Sequence, residues 1–437
     1  MSFYIITFGC QMNEYDSRII ENLMIKEGFT PSKDANNADI VIVNTCSVRG
    51  KPESKGIETA RSFKRKGKYV VLTGCTAQQR SEELLEVADL VVGTREFQVI
   101  PHALKKKLDR RMYLDLKGMC DFYFSGRRTN KVLEYVAIQE GCDNFCSYCV
   151  VPYTRGREVS RPLEEIIKEL KYLEDSGVKE VTLLGQNVNS YYYKGADFAD
   201  LLKMVDEEVK IPRIYFTTSH PRDISLKVIR TIKDARYLKP WFHLPLQAGS
   251  DKVLKEMNRG YTKDEYLEIA LRIRAEVPEA TISTDIMVGF PGEGDEDFAE
   301  TLDVVKKVQF DNAYMFMYSI RKPSPIYFKN KDISIDDVKV GVRLRTLISE
   351  VNKGIYQRRK LMLGKEYEIL IYGPARKSPK YSKGKTENNI TVVVPGAFSE
   401  GEFVKVKVEK IIGLTPIGYP LNVLASLTND FPLNRGG

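Results

Sequence analysis

The sequence predicts an α/β protein in three parts: an N-terminal parallel sheet with flanking helices, a central partial TIM-like (β/α)6 barrel, and a small C-terminal antiparallel β-barrel. Three observations predict this architecture. Short apolar runs alternate with helical segments at the start, six strand–helix repeats follow, and short strands separated by turns come last. With 437 residues, the chain is long enough for two or three domains that each bury a core.

The first region alternates predicted strands and helices. Its apolar runs are YIITFG, ADIVIVN, YVVLTG and LVVG, and helical patterns such as NEYDSRIIENLMIKEG lie between them. This order implies a parallel sheet flanked by helices. We assign residues 1–112 to this domain and residues 113–132, where the alternation stops, to a linker.

The alternation resumes with EYVAIQEG and continues through VTLLG, RIYFTT, WFHLPL, TISTDIMVGF and NAYMFMY. Six such repeats predict an incomplete TIM-like barrel over residues 133–362, and catalytic groups in such barrels come from strand ends. The runs EYEILIYG, NITVVVPG, FVKVKVEKIIG and YPLNVLAS then predict a small antiparallel barrel of OB-like size over residues 363–427. Residues 428–437 are assigned to a tail.

The composition favours a soluble, cytoplasmic protein. The start has no basic segment followed by a long apolar stretch, and no apolar run approaches the ~18 residues of a membrane span. Thiols stay reduced in such a compartment. The clustered cysteines of this chain therefore indicate metal ligation rather than disulfides.

Positive charge is concentrated near the C-terminus. The net charge is +8, from 67 basic and 59 acidic residues, and residues 353–385 hold ten Lys and Arg against two Glu. The tyrosines interspersed there are Tyr356, Tyr367, Tyr372 and Tyr381. Since cations meet phosphates and aromatic rings stack on bases, this segment favours nucleic-acid binding. A merely solvated charged face is the alternative.

Six of the seven cysteines form two triplets, one compact and one dispersed. They are Cys142, Cys146 and Cys149, and Cys10, Cys46 and Cys75. Each member of the dispersed triplet lies just past a predicted strand, and open α/β sheets bind ligands at the carboxyl ends of their strands. A cubane iron–sulfur cluster has four irons, so three thiolates leave one iron open. Ordinary buried cysteines are the alternative.

The seventh cysteine, Cys120, has no partner at ligand spacing. It is interpreted as a structural or incidental thiol and is not assigned to either site.

The compact triplet has the spacing C-x3-C-x2-C, with Tyr148 directly before the last cysteine. Zinc sites usually offer four Cys or His ligands in separated pairs, and ferredoxin runs contain a fourth cysteine. The pattern resembles the motif of the radical S-adenosylmethionine (SAM) enzymes, although a zinc or purely structural site is an alternative. The resemblance implies that the open iron binds the amino and carboxylate groups of SAM, that SAM is cleaved to the 5′-deoxyadenosyl radical, and that Tyr148 packs near the adenine.

The predicted barrel strands end in a ring of polar residues that we expect to contact SAM. The expected contacts are Gln186, Ser219, Gln247 and Asp285. Asn187, His220 and His243 lie at the same level. We interpret the two histidines as satisfied side chains of the barrel rim, because no base partner is evident in the sequence; direct roles in the site are the alternative.

Longer motifs support a family resemblance over nearly the whole chain. They include FGCQMNEYDS, VNTCSVR, EGCDNFCSYCVVPYTRGRE, LLGQNVNSY, TSHP, HLPLQAGSD, MNRGYT and STDIMVGFPGE. In these the chain resembles the methylthiotransferases, radical SAM enzymes that insert sulfur and a methyl group at unreactive C–H positions. The resemblance implies an N-terminal iron–sulfur domain, a radical SAM domain and a C-terminal TRAM domain.

Within that family, LLGQNVNSY is similar to the MiaB branch, which modifies tRNA carrying N6-isopentenyladenosine beside the anticodon. Branches that act on threonylcarbamoyladenosine in tRNA or on a ribosomal protein differ at this place and are the alternatives. The basic approach to the TRAM domain suits RNA better than a protein loop. Two positions depart from the family pattern: Ala248 stands where Ser is frequent, and Lys385 stands where Arg is common. Lysine lacks the bidentate fork of arginine, which leaves the TRAM contact open.

The resemblance implies two [4Fe–4S] clusters with separate tasks. The cluster on the compact triplet binds SAM and generates the radical that removes hydrogen from C2 of the adenine. The cluster on the dispersed triplet holds the sulfur that accepts a methyl group from a second SAM and joins the substrate. The implied partners are the tRNA anticodon stem-loop and a reductant such as flavodoxin or ferredoxin, with the sulfur donor unassigned. We expect a monomer, and a non-catalytic iron–sulfur RNA-binding protein is the alternative from another class.

Overall fold

Six parallel strands form the N-terminal sheet, in the order β2-β1-β3-β4-β5-β6. The computed structural model of the chain describes residues 1–47, 50–106, 110–116, 132–329, 337–376 and 378–421. The strands are β1 (Ser2–Phe8), β2 (Thr30–Pro31), β3 (Ile40–Thr45), β4 (Tyr69–Gly74), β5 (Leu90–Val92) and β6 (Met112–Tyr113). The helices are α1 (Gln11–Lys26), α2 (Gly50–Arg65), α3 (Cys75–Arg80) and α4 (Val99–Lys106), with a 3-10 turn at Ser81–Glu86.

The central strands of this sheet are buried on both faces. The runs IVIVNT and YVVLTG of β3 and β4 are almost wholly buried, as expected for parallel strands covered by helices on both sides. Strand β6, Met112–Tyr113, lies across the predicted boundary between the first domain, residues 1–112, and the linker, residues 113–132. The sequence did not predict this strand, because two residues are too short to show a pattern. Cys120 and most of the predicted linker lie outside the described residues.

The central domain contains six parallel barrel strands and short accessory strands. Its strands are β7 (Leu133–Ala137), β8 (Gln139–Glu140), β9 (Val159–Ser160), β10 (Glu180–Leu184), β11 (Tyr192–Tyr193), β12 (Ala196–Asp197), β13 (Arg213–Phe216), β14 (Trp241–His243), β15 (Thr281–Val288) and β16 (Asn312–Met317). Its helices are α5 (Val151–Thr154), α6 (Leu163–Asp175), α7 (Phe198–Glu208), α8 (Leu226–Asp234), α9 (Asp251–Glu256), α10 (Lys263–Glu276), α11 (Asp295–Val308), α12 (Pro325–Lys329) and α13 (Asp337–Lys360), with 3-10 turns at Val188–Ser190 and Pro221–Asp223.

The barrel strands run in the order β7-β10-β13-β14-β15-β16. Two three-stranded parallel ladders are joined by a parallel bridge between Ile214 and Leu238. Within the part of the chain that the structure describes, no ladder joins β7 to β16, so the barrel is open on one side. The predicted partial (β/α)6 barrel is confirmed.

The C-terminal domain is a closed five-stranded barrel in the order β17-β18-β19-β21-β20. Its strands are β17 (Glu366–Ala375), β18 (Ser378–Thr386), β19 (Thr391–Pro395), β20 (Phe403–Ile412) and β21 (Thr415–Pro420). The sequence analysis missed β18, because SPKYSKGKT lacks apolar alternation and its inward positions carry Ser382, Gly384 and Thr386. It also placed the last strand at YPLNVLAS; β21 ends at Pro420, and the part of that run from residue 422 onward lies outside the described residues.

Helix α1 packs the N-terminal sheet against the first barrel strand. Ala137 of β7 and Leu184 of β10 belong to the same buried cluster as the apolar face of α1. Beside it, Arg18 of α1 donates to Glu134 at 2.6 Å and to Glu169 at 2.8 Å, and all three side chains are buried. The two domains therefore share one core and one buried set of ion pairs.

The C-terminal barrel docks on the amino-terminal edge of the central barrel. Arg213, the first residue of β13, donates to the carbonyls of Lys385 at 2.6 Å and Glu368 at 3.0 Å. Tyr215 donates to the carbonyl of Glu387 at 2.7 Å, and Tyr372 pairs with Glu180. The turn between β18 and β19 thereby covers the end of the barrel opposite to the carboxyl ends of its strands.

None of the helices in the described segments has the length and apolar character needed to cross a bilayer.

The Arg213 contacts give a stability prediction. In Arg213→Leu the carbonyls of Lys385 and Glu368 lose the buried guanidinium that donates to them, so we expect the free energy of unfolding to fall by about 2–4 kcal/mol. Urea unfolding followed by fluorescence of Trp241, the single tryptophan, measures this because its ring packs on Tyr215. Arg230→Leu is the matched control: its side chain is 61% exposed, so its change is within about 0.5 kcal/mol. Equal losses in the two variants contradict the docking role.

Candidate active site

The dispersed cysteines lie at the carboxyl ends of three neighbouring strands. Cys46 directly follows β3, Cys75 directly follows β4 as the first residue of α3, and Cys10 lies two residues after β1. Phe8, Thr45 and Gly74 are aligned in register at the ends of these strands. The fold thus brings three residues that are distant in sequence to one edge of the sheet, as the strand-end argument predicted.

Two buried asparagines hold this edge together. The side-chain carbonyl of Asn13 accepts from the Cys10 backbone and thiol at 3.3 Å, while its amide donates to Asn44 at 3.0 Å. Asn44 in turn donates to the Asn13 carbonyl at 2.9 Å. Gly9 permits the close approach of the two cysteine segments, because a Cβ there would lie 2.7 Å from the Cβ of Cys46.

The dispersed thiols have unequal environments. Cys46 and Cys75 are buried, whereas Cys10 is exposed. A hydrogen bond with Cys46 lowers the pKa of Cys10 to about 5, and the positive charge of Arg155 acts in the same direction. Burial raises the pKa of Cys75, and Arg155 opposes that shift.

The compact triplet lies in an irregular loop after β8 that neighbouring segments fix in place. The Gly141 amide donates to the side chain of Gln186 at 2.6 Å. The Ser147 amide donates to the Met257 carbonyl at 3.0 Å, and Asn258 donates to the Asn144 carbonyl at 3.2 Å. The loop is therefore pinned from the ends of β10 and α9.

A buried arginine contacts the compact triplet directly. Arg259 donates to the Cys146 sulfur at 3.4 Å, to the Tyr148 hydroxyl at 3.3 Å and to the Pro245 carbonyl at 3.3 Å. Its positive charge offsets negative charge that develops on the sulfurs.

The donor chemistry of the compact triplet fits an iron–sulfur cluster. Burial raises the pKa of Cys142 to about 11 and, together with the neighbouring Cys146, that of Cys149 to about 12. These thiols thus become thiolates readily only with a bound cation, and thiolate is the ligand that such clusters use.

Among the described residues, no three Cys, His, Asp or Glu side chains converge closely enough to hold one metal ion. Ligation by either triplet stays a prediction.

The turn at residues 154–157, which is buried from Thr154 to Gly156, lies between the two triplets. On one side the Cys142 amide donates to the Gly156 carbonyl at 3.3 Å. On the other, Thr94, which follows β5, donates to the Thr154 carbonyl at 2.7 Å. The carboxyl edges of the sheet and of the barrel thus face one another across this turn.

Arg155 of that turn links both domains electrostatically. Its guanidinium pairs with Asp16 of α1 at 2.5 Å and with Glu140 of β8 at 3.0 Å, and the Arg155 and Asp16 side chains are each only 3% exposed. The same group lies close enough to Cys10 and Cys75 to influence both thiols.

The expected SAM contacts have different surroundings. The side-chain oxygen of Gln186 already accepts from the Gly141 amide, in the loop that contains the compact triplet. Gln247 has a left-handed backbone, φ 67°, and bridges to β15 through its main chain. Asp285 lies in the middle of β15 rather than at its end, 3.4 Å from the Nε2 atom of His243. The Ser219 hydroxyl is buried and has no hydrogen-bond partner among the residues that the structure describes.

The two barrel histidines differ from each other. His243 is satisfied, since Nδ1 lies 2.9 Å from the Ser283 hydroxyl and Nε2 faces Asp285. His220 is buried, with Nδ1 3.9 Å from the Asp223 carboxylate and, among the described residues, no hydrogen-bond partner for either ring nitrogen. Burial and the positive charges of Arg259 and Arg222 lower its pKa to about 2. The sequence interpretation of satisfied rim histidines therefore fits His243 and is wrong for His220.

The basic C-terminal segment is only partly available to a partner. Tyr356 and Tyr381 are exposed, whereas Tyr372 lies in the contact between the two barrels. Lys385 is also in that contact, with its ammonium 5.2 Å from the centre of the Tyr372 ring. The Lys385 side chain therefore lies in the contact with the central barrel, and the residues through which the C-terminal domain contacts RNA stay a prediction.

Sequence reasoning missed the residues that support the triplets. Asn13, Asn44, Arg155 and Arg259 are each within a few residues of a cysteine or a glycine turn in the quoted motifs. Asn13, three residues after Cys10 at the start of a helical pattern, was open to prediction as a capping position. Arg155 and Arg259 gave no such signal, since their partners are distant in sequence.

Family models match three segments of the chain. Residues 136–305 match the Radical SAM superfamily, residues 2–93 match Uncharacterized protein family UPF0004, and residues 360–412 match the TRAM domain. Membership of the Radical SAM superfamily implies a [4Fe–4S] cluster and SAM.

Solved structures show the same fold at low identity. A radical SAM methyltransferase, TsrM from Kitasatospora setae with cobalamin and a [4Fe–4S] cluster bound, has a TM-score of 0.60 at 13% identity, covering 75% of this chain and 77% of its own. The cobalamin-dependent SAM radical enzyme OxsB has a TM-score of 0.53 at 12% identity, covering 82% and 57%.

Curated relatives align along nearly the whole chain. A protein of Thermotoga petrophila is 42% identical over 94% of this chain and 95% of its own length, and one of Fervidobacterium nodosum is 39% identical over 94% and 97%. A third, from Clostridium botulinum, is 40% identical over 95% of both chains. All three are named tRNA-2-methylthio-N(6)-dimethylallyladenosine synthase. The chain therefore belongs to the methylthiotransferase family of radical SAM enzymes, in the branch of the tRNA-2-methylthio-N(6)-dimethylallyladenosine synthases.

Proposed function

We propose that this chain inserts sulfur and a methyl group at C2 of N6-isopentenyladenosine beside the anticodon of tRNA. The names of its full-length relatives support this substrate. The observation that carries the proposal is the placement of two cysteine triplets on either side of the turn 154–157. One triplet suffices for SAM cleavage, and a second one beside it suits an enzyme that also delivers sulfur.

The compact triplet is the proposed site of SAM cleavage. Cys142, Cys146 and Cys149 would hold a [4Fe–4S] cluster, which would supply the electron for the reductive cleavage of SAM. The chain's own contribution is positional. Gln186 orients the loop, and Arg259 places a positive charge against Cys146.

The dispersed triplet is the proposed site of a second cluster and of the sulfur that enters the product. Asn13 and Asn44 fix the separation of two of its strand ends. Arg155 places a buried positive charge beside the thiols, which favours their ionised, ligating form.

The wall of the barrel next to the compact triplet fits a ligand with many polar groups. Within the described part of the chain, the Ser219 hydroxyl and both ring nitrogens of His220 are buried without a hydrogen bond, and buried polar groups are normally satisfied. A bound SAM brings the donors and acceptors that this wall lacks.

The exposed part of the basic segment is the proposed RNA surface. Lys380, Tyr381 and Lys383 on β18 are exposed, which suits phosphate contacts and base stacking. The reductant, the sulfur source and the oligomeric state stay predictions; a reductant such as flavodoxin or ferredoxin and a monomer are proposed.

The substrate is tested with reconstituted enzyme, SAM and a strong reductant. We expect methylthio product on an anticodon stem-loop that carries N6-isopentenyladenosine, measured by mass spectrometry of the nucleosides. The control substrates are a stem-loop with threonylcarbamoyladenosine and ribosomal protein. Product on a control substrate alone overturns the assignment.

The division of labour between the triplets is tested by iron content and by two products. Wild type is expected to hold about eight irons and eight sulfides, and variants in which Cys10, Cys46 and Cys75 are replaced by Ala about four of each. These variants form 5′-deoxyadenosine without methylthio product, since the compact triplet is intact. The matched variants, in which Cys142, Cys146 and Cys149 are replaced by Ala, form neither 5′-deoxyadenosine nor methylthio product. Methylthio product from the first set contradicts the proposal.

Arg155 is tested by replacement with lysine, which keeps the charge and loses the fork that reaches Asp16 and Glu140 together. We expect methylthiolation by Arg155→Lys to fall about ten-fold or more, because a charge-assisted contact is lost at the dispersed triplet. Formation of 5′-deoxyadenosine stays within about two-fold, because the contacts of Arg259 with the compact triplet are unchanged.

The matched control for Arg155 lies two residues along the same turn. Arg157 is 72% exposed and makes a surface pair with Asp143 at 2.7 Å, so Arg157→Lys leaves both products within about two-fold of wild type. A parallel loss of both products in Arg155→Lys identifies a general folding defect and argues against the specific role.

A further inference from the structure

The N-terminal domain contacts the open barrel on both sides of its gap. On one side, Arg18 of α1 pairs with Glu134 of β7. On the other side, residues 319–327, here called the bridge segment, follow β16 and reach the helices of the N-terminal domain through Arg321. The two edges of the gap are thus held by the same domain.

The acceptor at this second contact is Glu53 of α2. Its carboxylate accepts from Nε of Arg80 at 2.6 Å and from the guanidinium of Arg321 at 3.2 Å, and the Glu53 side chain is only 3% exposed. Helix α2 follows the strand end that carries Cys46, and α3, which contains Arg80, begins at Cys75. Glu53 therefore ties two segments of the dispersed triplet to the bridge segment.

The bridge segment is anchored at its other end to the loop of the compact triplet. The Ile326 amide donates to the carbonyl of Ser147, in that loop, at 2.9 Å. A buried turn connects the two ends of the segment, since the amide of Ser324 donates to the Arg321 carbonyl at 2.9 Å. A displacement of Arg321 is therefore transmitted to the compact triplet.

Polar contacts hold the bridge segment against α3. A cleft of about 480 Å³ lies between them, and its lining includes Arg80 and Arg321. Gln79 donates to the carbonyl of Lys322 across this cleft. Gly50, the first residue of α2, leaves room for the guanidinium, because a Cβ there would lie 3.0 Å from a terminal nitrogen of Arg321. The ion pair with Glu53 therefore has a large share in fixing the position of the bridge segment.

The proposed tasks of the two triplets differ in how precisely the triplets must be placed. Cleavage of SAM needs the compact triplet alone, whereas transfer of sulfur to the substrate carbon requires reacting atoms about 3–3.5 Å apart. A misplacement of about 1 Å can slow such a step about 100-fold. A change in the separation of the triplets therefore affects sulfur transfer more than radical formation.

We propose that Glu53 and Arg321 are positioning residues that fix the separation of the two triplets, and that this separation decides which fraction of the radicals yields methylthio product. The inference rests on the proposed function, which assigns SAM cleavage to one triplet and sulfur delivery to the other. Arg321 reaches Glu53 through one guanidinium nitrogen, and a lysine ammonium, which is a point charge, can replace such a contact.

The ratio of two products tests this role. Arg321→Met removes the barrel side of the contact and leaves the pair of Glu53 with Arg80. With reconstituted enzyme, SAM and saturating isopentenylated stem-loop, we expect the ratio of methylthio product to 5′-deoxyadenosine to fall about five-fold or more. In Arg321→Lys the ratio stays within about two-fold of wild type. An equal loss of both products in Arg321→Met identifies a folding defect and overturns the positioning role.

Two measurements test the contact independently of activity. Pulsed electron paramagnetic resonance of the reduced, reconstituted protein is expected to give a broader distribution of distances between the two clusters in Arg321→Met than in wild type. Hydrogen–deuterium exchange of the full-length protein is expected to be faster in peptides that cover residues 319–327, because the segment loses its contact with Glu53. Unchanged distances and unchanged exchange overturn the inference.

Lys329→Met is the matched control. Lys329 lies beyond the bridge segment, its side chain is 71% exposed, and its ammonium is 3.8 Å from the Glu256 carboxylate, so the product ratio stays within about two-fold of wild type. If wild type methylthiolates the stem-loop and Arg321→Met keeps the wild-type ratio, this inference fails and the proposed function stands. If wild type forms no methylthio product, the proposed function fails, and the exchange rates still test the contact.

Discussion

Two buried arginines, Arg18 and Arg155, orient the N-terminal sheet on the central barrel, and the architecture of the site depends on that orientation. Apolar contact between α1 and the first barrel strands supplies attraction, which by itself has no direction. The ion pairs favour one orientation of the N-terminal sheet on the central barrel. A shift of one domain over the other breaks the pairs of Arg18 with Glu134 and Glu169 and of Arg155 with Asp16, which costs about 3–5 kcal/mol for each broken buried pair. Only a narrow range of orientations therefore keeps the two strand-end edges facing each other across the turn 154–157.

This orientation gives the triplets different electrostatic surroundings. The dispersed triplet includes Cys10, an exposed thiol whose pKa is lowered. This triplet lies beside Arg155, which belongs to the central domain. The compact one is held in a loop where burial raises the pKa of its thiols, with Arg259 against one sulfur. The asymmetry matches the proposed tasks, because an accessible site suits delivery of a group to substrate and an enclosed one suits protection of a radical.

The sequence was informative where a local pattern determines the structure. Parallel strands buried on both faces appear in the sequence as short apolar runs, so the parallel sheet, the partial barrel and the strand-end position of the dispersed cysteines could be predicted from it. It was silent where partners are far apart: Arg155 and Arg259 contact groups 139 and 113 residues away. Strand β18 has small inward residues instead of an apolar alternation, and it forms because its neighbours in the closed barrel pair with it. The contrast between His220 and His243 likewise depends on tertiary neighbours.

The position of the C-terminal domain constrains the kind of substrate. It covers the amino-terminal end of the barrel, while both cysteine triplets lie at the carboxyl ends of strands. Strand β15, with eight residues, spans about 26 Å between these ends. A free nucleoside bound at the carboxyl end cannot also contact Tyr381 or Lys383, whereas a folded RNA is long enough to run along the outside of the barrel. Because the turn after β18 covers the amino-terminal end of the barrel, a base can enter only from the carboxyl end or through the gap between β7 and β16. The proposed RNA surface on β18 and the two cysteine triplets are thus separated by the length of the barrel, and a polymeric substrate is long enough to contact both.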